Sequence, residues 1–334
     1  MALPDTFKAI RAEEGPDNQV RPVLKDVPFS VLPENAVLIR VHYSSLNYKD
    51  ALSSTGNRGV TRSYPHTPGI DACGTVVSSS DPAFRENDEV LVCGYDLGMN
   101  TPGGFGQYIR VPADWVMPLP KGMSFSESMM LGTAGFTAAL GIYKMEMNGQ
   151  KPENGPVLVT GAGGGLGGLA INILAKLGYK VIAATGKTAE AEYFSKLGVS
   201  EIIGRDQVND TGGKLLLRPR WAGVVDTVGG NILATALKAC RRHGNVAVCG
   251  NALSYELQTT VYPFILNGVN LLGVDSATCP MDLRRQVWDK LAGEWKPTAL
   301  DLICHEISLD RLTEHIDLIL QGKIRGRVYI NMKD

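Results

Sequence analysis

The segment Val157–Gly168, VLVTGAGGGLGG, narrows the possible folds more than any other stretch of the chain. Val157–Thr160 reads as a buried strand, glycines follow at 161, 163, 164, 165 and 167, and an apolar helix is expected from about Leu166 to Leu177. A tight strand-to-helix turn needs residues without a Cβ. Close approach of a diphosphate to the backbone needs them too, and the helix N-terminus adds unpaired N–H groups and the positive end of a dipole. A GxGxxG spacing alone is weak. Here a strand precedes it, a helix follows, and a second strand, Val181–Thr185, comes about 20 residues on. Gly163, Gly164, Gly165 and Leu166 are therefore expected against the diphosphate of a dinucleotide.

The rest of the chain supplies the setting. Short apolar runs at Glu201–Gly204, Ala222–Asp226, Asn245–Cys249 and Asn270–Val274 alternate with helical stretches at 189–197, 231–242 and 260–267. That alternation predicts a doubly wound parallel sheet of the α/β class, covered on both faces. Before it, Ala36–Tyr43 alternates as a half-buried strand, and Gly74–Ser78 and Glu89–Cys93 are similar short runs within an irregular β-rich domain. The uncharged Met129–Tyr143 reads as a buried helix at the change of rhythm. After it come helices at Met281–Glu294 and Leu309–Gln321, then an alternating strand, Arg327–Met332, that would return to the β-rich domain. At roughly 100–200 residues per domain, a length of 334 residues fits two domains: a discontinuous β-rich one at 1–128 and 281–334, and a nucleotide-binding one at 129–280.

Charge removes two classes of partner. Thirty-three Lys and Arg stand against 34 Asp and Glu, so no global attraction to nucleic acid or to an anionic membrane is expected. The N-terminal MALPDTFKAIRAEE lacks the basic and apolar regions of a signal peptide. The uncharged run Gly155–Ala175 holds seven glycines and is read as strand and turn, not as a membrane span. A cytoplasmic location is the expectation. The six cysteines show no CxxC spacing, and free, largely buried thiols are expected.

The end of the second strand bears on the cofactor. An acid there would hold the ribose hydroxyls of NAD. The chain has Thr185, Gly186 and Lys187, with no acid before Glu190, and Arg205 stands just past the next strand. A hydroxyl and two cations suit a 2′-phosphate, so NADPH is expected rather than NADH.

Longer phrases now carry a resemblance. SSLNYKDAL (44–52), PGIDACGT (68–75), GGFGQ (103–107), GTAGFTA (132–138) and the glycine turn resemble the medium-chain dehydrogenase/reductase superfamily, in its zinc-free quinone-oxidoreductase-like branch. WAGVVDTVGG, TTVYPFILNGVNLLGVDS and IRGRV resemble acrylyl-coenzyme A reductases most. The likeness runs over essentially the whole chain. Two details depart from it: Gly163 and Leu166 stand where Ser and Val are common, and Lys187 where Arg is frequent.

The resemblance implies a GroES-like catalytic domain beside a Rossmann-type NADPH domain, and a homodimer joined through the nucleotide domain near Asn267–Val274. It implies reduction of an activated double bond, with acrylyl-CoA as the sharpest substrate. A quinone or enone reductase and a non-catalytic NADPH-binding redox sensor are the alternatives. No metal is expected, because the matching segments carry Asn47 and Asp71 without an adjacent His–Glu pair. Catalytic candidates are Tyr48, in the loop after the first core strand, with Asn47 and Asp50 beside it. Tyr48 is open to a packing role, Asn47 to capping, and Asp50 to a helix-start role, since an ordinary Asp is a poor acid at neutral pH. Asn251, Ile265, Ser276 and Gly322 align with cofactor-lining positions, Ser276 being expected to end the last strand of the sheet. Arg58, Arg62, Lys323, Arg325 and Arg327 are basic candidates for the phosphates of coenzyme A, each with an ordinary surface role as the alternative.

Overall fold

The structure is a computed structural model that describes residues 3–333. The chain divides into two units. One takes the chain up to Thr133, then Ala277–Ala292, and then the chain from Cys304 onward; the other takes Ala134–Ser276 and Gly293–Ile303. The change comes a few residues later than the sequence pattern indicated, and residues 293–303 lie in the second unit rather than the first. The reason is visible within that unit, where the Asn172 carboxamide oxygen accepts the backbone N–H groups of Thr298 and Ala299 at 2.8 and 3.0 Å.

The second unit is built on a six-stranded sheet in the order Val199–Gly204, Val181–Thr185, Val157–Thr160, Trp221–Asp226, Cys240–Val248, Asn270–Gly273. Every pairing in it is parallel. Val157–Thr160 and Trp221–Asp226 are buried at every residue, which is why they read as unbroken apolar runs rather than alternating ones. Leu158, Val159, Val224 and Val225 are inaccessible to solvent, each contributing roughly 1.5–3 kcal/mol by burial. The helix Gly165–Lys176 buries Gly167–Leu174. Just beyond it Gly178 takes φ +82°, the left-handed conformation that ends a helix at little cost to a residue without a Cβ.

In the first unit a sheet runs in the order Cys304–Ser308, Arg327–Asn331, Val37–Leu46, Asp71–Ser79, Glu89–Cys93, Met117–Pro118, with Tyr108–Val111 also paired to Val37–Leu46. Thr6–Glu14 and Val20–Pro28 form a separate antiparallel hairpin. Ile39, Val41, Val90, Val92, Phe105 and Ile330 meet in the core. The last strand pairs antiparallel with Val37–Leu46, so the chain end completes the sheet begun near its start.

Two local expectations change. Tyr48 does not lie in a loop: it opens a short helix, Tyr48–Ser54, capped by Asn47 in extended conformation. Asp50 occupies the third helical position, and its carboxylate accepts the Asn47 backbone N–H at 2.8 Å, the acid half of a capping box. The helix expected at Met129–Tyr143 runs from Phe125 to Met147 and is broken at Gly132, with φ 49° and ψ −154°.

Candidate functional site

In the first unit the strand Val37–Leu46, the cap of Tyr48–Ser54, the start of Asp71–Ser79, the break at Gly132 and the last strand bring five polar side chains together. Asp71 accepts four hydrogen bonds: from Ser45 Oγ at 2.6 Å, Asn47 Nδ2 at 2.8 Å, Thr133 N–H at 2.9 Å and Thr133 Oγ1 at 2.6 Å. The Arg327 guanidinium stands 3.9 Å away, reaching Asp71 through shared neighbours. It donates to Ser45 Oγ at 2.7 Å, to Asn47 Oδ1 at 3.1 Å and to the Met130 carbonyl at 3.0 Å. Ser45 and Asn47 each accept from the cation and donate to the anion, so the charges are bridged by a closed ring of polar groups.

Gly132 makes room for this ring. A Cβ there would lie 2.6 Å from Arg327 Nη2, from Asp71 Oδ2 and from Ser45 Oγ. The positive φ and the close approach both demand glycine. Thr133, released by the break, then turns its backbone N–H and its hydroxyl onto Asp71.

Asp50 sits behind Asn47. Its Oδ2 accepts from the Asn47 backbone N–H and from Asn47 Nδ2 at 3.1 Å, and its Oδ1 accepts from Ile70 N–H at 2.8 Å. Burial, then the nearby charge of Asp71, pushes its carboxyl up to about 7. With 0% exposure it is not placed to hand a proton to a substrate, which corrects its expected catalytic role: it positions Asn47. Asn47 itself has its amide hydrogens on two carboxylates and its oxygen on Arg327. Tyr48, 50% exposed, takes no part in the ring and presents its phenol at the first turn of the helix.

The basic candidates separate. Arg327 is 4% exposed and donates from all three nitrogens, so it is not a phosphate contact; sequence alone does not reveal that its strand has a neighbour on each side. Arg58 is tied to Glu14 at 3.0 Å, bonds the Arg62 carbonyl, and lies over the Tyr64 ring. Arg62, Lys323 and Arg325 are on the surface. Gly322 follows the helix Leu312–Leu320 with φ +66°, where terminating the helix already accounts for a glycine.

In the second unit the glycine turn joins Val157–Thr160 to the helix Gly165–Lys176. A Cβ on Gly167 would lie 2.4 Å from the Gly161 carbonyl oxygen, so strand and helix pack as closely as a phosphate-binding turn requires. The first-turn amides of Gly165, Leu166 and Gly167 have no intrahelical acceptor. Thr185 Oγ1 accepts the Lys187 backbone N–H at 3.0 Å. A Cβ on Gly163 would meet Lys187 Cδ at 3.4 Å and Thr185 Oγ1 at 3.6 Å, and one on Gly186 would meet Arg205 Cζ at 3.1 Å. Gly163, Thr185, Gly186, Lys187 and Arg205 therefore form one cluster. Asn251 is exposed beyond the strand Cys240–Val248. Ile265 lies on the short helix Tyr262–Asn267 at 68% exposure, not in a core. The strand expected to end at Ser276 stops at Gly273, and Ser276 Oγ accepts from Thr137 at 2.7 Å.

Comparison with known proteins accords with this arrangement. Residues 33–121 match the alcohol dehydrogenase GroES-like domain and residues 165–293 the zinc-binding dehydrogenase family. The chain is 46% identical to the putative quinone oxidoreductase YhfP of Bacillus subtilis, over 98% of this chain and 99% of that protein. The chain belongs to the medium-chain dehydrogenase/reductase superfamily, in its quinone-oxidoreductase-like branch. Acrylyl-CoA reductase AcuI of Ruegeria pomeroyi is 40% identical over 98% of this chain and 99% of its own length. A crystal structure of the yhdH oxidoreductase from Salmonella enterica in complex with NADP superposes with TM-score 0.94 at 39% identity, covering 98% of this chain and all (100%) of that one.

Zinc, which the description of the second family implies, does not fit the residues present. Among the described residues no three His, Cys, Asp or Glu side chains are grouped to hold a metal ion. The polar centre of the first unit offers Ser, Thr, Asn and Asp oxygens already bonded, with the Arg327 cation among them. Five cysteines are buried and Cys249 half-buried, none of them in a disulfide, and burial pushes the Cys73 and Cys240 thiols up to about 12. Among the described residues no helix is long and apolar enough to cross a membrane.

Sequence reasoning missed Ser45, Gly132 and Thr133 as site residues. The signal available was a glycine inside an otherwise helical, uncharged segment, which marks a break or a close approach.

Proposed function

We propose that the protein is an NADPH-dependent reductase of activated alkenes that converts acrylyl-CoA to propanoyl-CoA. The observation that carries this reading is the pairing of a cation-rich cluster after Val181–Thr185, for the cofactor, with a polar centre in the first unit built from hydrogen-bonding groups rather than metal ligands. The glycine turn would hold the diphosphate, and Thr185, Lys187 and Arg205 the 2′-phosphate. Relatives at 40% and 41% identity bear the names acrylyl-CoA reductase and probable acrylyl-CoA reductase.

Bound NADPH supplies a hydride for the β-carbon of the conjugated thioester, and a proton completes the α-carbon. As the hydride adds, before that proton arrives, charge develops on the thioester oxygen, where a fixed donor stabilises it more in the transition state than in the ground state. The Tyr48 hydroxyl is that donor in this reading. Asn47, locked between Asp50, Asp71 and Arg327, fixes the helix turn from which Tyr48 projects. In this reading the exposed Arg62, Lys323 and Arg325 are the candidates for the phosphates of coenzyme A. Two copies would pair along Asn270–Gly273, an edge strand that carries the exposed Leu271 and follows the exposed Ile265 and Leu266; light scattering on the purified protein tests this.

A second reading, reduction of quinones or enones, is favoured by the name of the 46% identical relative. NADPH oxidation followed by absorbance, with acrylyl-CoA and with small quinones, separates the two. A larger kcat/KM for quinones reverses the ranking. No oxidation above the enzyme-free control with either substrate refutes both.

A further inference from the structure

Asp226 ends the strand that lies beside Val157–Thr160, where the order of the six-stranded sheet reverses. In open α/β sheets that is the place where ligands bind. Its carboxylate is 0% exposed. Oδ1 accepts from the hydroxyl of Thr160, the last residue before the glycine turn, at 2.7 Å, and Oδ2 accepts from Gly229 N–H at 2.8 Å. Thr160 Oγ1 in turn accepts from Thr227 N–H at 3.0 Å, and Thr227 Oγ1 donates to the Thr160 carbonyl at 2.9 Å. Thr227 packs so tightly on the turn that a Cβ on Gly161 would lie 2.1 Å from its hydroxyl.

The same turn also faces the other way. The Thr227 carbonyl accepts Ala252 N–H at 3.4 Å, and the Val228 carbonyl accepts Leu253 N–H at 2.9 Å and Ser254 N–H at 3.2 Å. A Cβ on Gly250 would lie 2.6 Å from the Thr227 oxygen. The segment 226–229 thus grips both the stem of the glycine turn and the loop carrying Asn251, and one buried acid organises that segment.

The acid is costly where it stands. A carboxylate bonded to a hydroxyl and amides, in a dry interior, carries a desolvation penalty that an apolar residue would avoid. Burial accordingly pushes it up from the usual carboxylate range, with the Thr160 and Gly229 bonds acting in the opposite sense.

We propose that Asp226 is a positioning residue for the dinucleotide: through Thr160 and Gly229 it sets the glycine turn and the Asn251 loop in register to receive it. This rests on reading the second unit as the NADPH-binding one. The test is NADPH binding, followed by nicotinamide fluorescence, to the full-length wild type and to Asp226→Asn, Thr160→Val and Thr160→Ser, with thermal unfolding of each protein without cofactor. Asp226→Asn and Thr160→Val should each raise Kd about tenfold. Thr160→Ser, which keeps the hydroxyl, should stay within about twofold of wild type, and the Asp226→Asn/Thr160→Val double variant should be little weaker than either single one. Unchanged Kd in folded Thr160→Val, or a loss that Thr160→Ser does not rescue, overturns the proposal. So does failure of both Asp226→Asn and Thr160→Val to fold, since the network would then serve stability alone. A wild type that does not bind NADPH refutes the functional reading itself, whereas wild-type binding with unaffected variants refutes this inference only.

Discussion

Replacing Arg327 with Met tests the ring in the first unit. The change keeps most of the apolar stem and removes three donors and the charge. Met130 O then loses its N–H donor and keeps the weaker Cys304 Sγ at 3.5 Å, Ser45 Oγ and Asn47 Oδ1 each lose a donor, and Asp71 loses the cation 3.9 Å away. Breaking a buried ion pair from one side costs about 3–5 kcal/mol. Asp71 keeps four donors, which favours the lower end, about 3 kcal/mol. At roughly 2–4 °C per kcal/mol, the unfolding midpoint should fall by about 6–12 °C. Calorimetry at fixed pH reads this directly. The Asp71→Asn/Arg327→Met double variant removes both charges and should recover at least about 1 kcal/mol relative to the sum of the singles. A drop below about 2 °C for Arg327→Met, or strict additivity in the double variant, would show that the ring does not compensate a buried charge and would refute the reasoning.

Four further outcomes are expected. Lys187→Ala and Arg205→Ala should each raise KM for NADPH about ten- to a hundredfold, one charge-assisted contact being worth roughly 1.5–3 kcal/mol, while KM for NADH hardly moves; steady-state kinetics with both cofactors checks this, and unaltered discrimination in both variants would misplace the 2′-phosphate cluster. Gly132→Ala puts a methyl 2.6 Å from three atoms of the ring and should cost at least about 1–3 kcal/mol in a denaturant titration, whereas Gly163→Ser, whose Cβ meets Lys187 Cδ at an ordinary 3.4 Å, should be tolerated. Because burial raises the Asp50 carboxyl from 3.8 to about 7, the folded state holds its proton more tightly than the unfolded one between those values. Stability should therefore fall as pH rises from about 4 to about 7, and Asp50→Asn should flatten that slope; an identical slope in the variant would contradict it. Tyr48→Phe should lower kcat for the alkene substrate about a hundredfold, as loss of one oxyanion donor does, with little change in NADPH affinity.

The parts of this protein legible in its sequence are those governed by neighbours in the chain. The glycine turn, the strands Val157–Thr160 and Val181–Thr185 and the helix after the turn follow from backbone freedom at glycine and from hydrophobic period. The cation cluster was readable because Thr185, Gly186 and Lys187 are consecutive and Arg205 opens the segment after the next strand. For the helix Tyr48–Ser54 the sequence offered a cap at Asn47 and a helix-start role for Asp50 but not the helix itself: seven residues span too few turns for a period to show, and its cap acts through the Asp50 carboxylate, whose partners include the distant Ile70. Nor could the sequence assign residues 293–303 to the second unit, since the deciding contact is Asn172 with Thr298 and Ala299. The ring itself was decided by tertiary structure alone. Arg327 meets Ser45 and Asn47 across 282 and 280 positions of chain, and in sequence it is one of two arginines in the basic stretch 323–327. Its place is set by strand pairing, which puts Arg327–Asn331 beside Val37–Leu46. Burial then converts an ordinary surface cation into the counter-charge of Asp71, because a charge removed from water keeps its charge only where partners replace the solvent it lost.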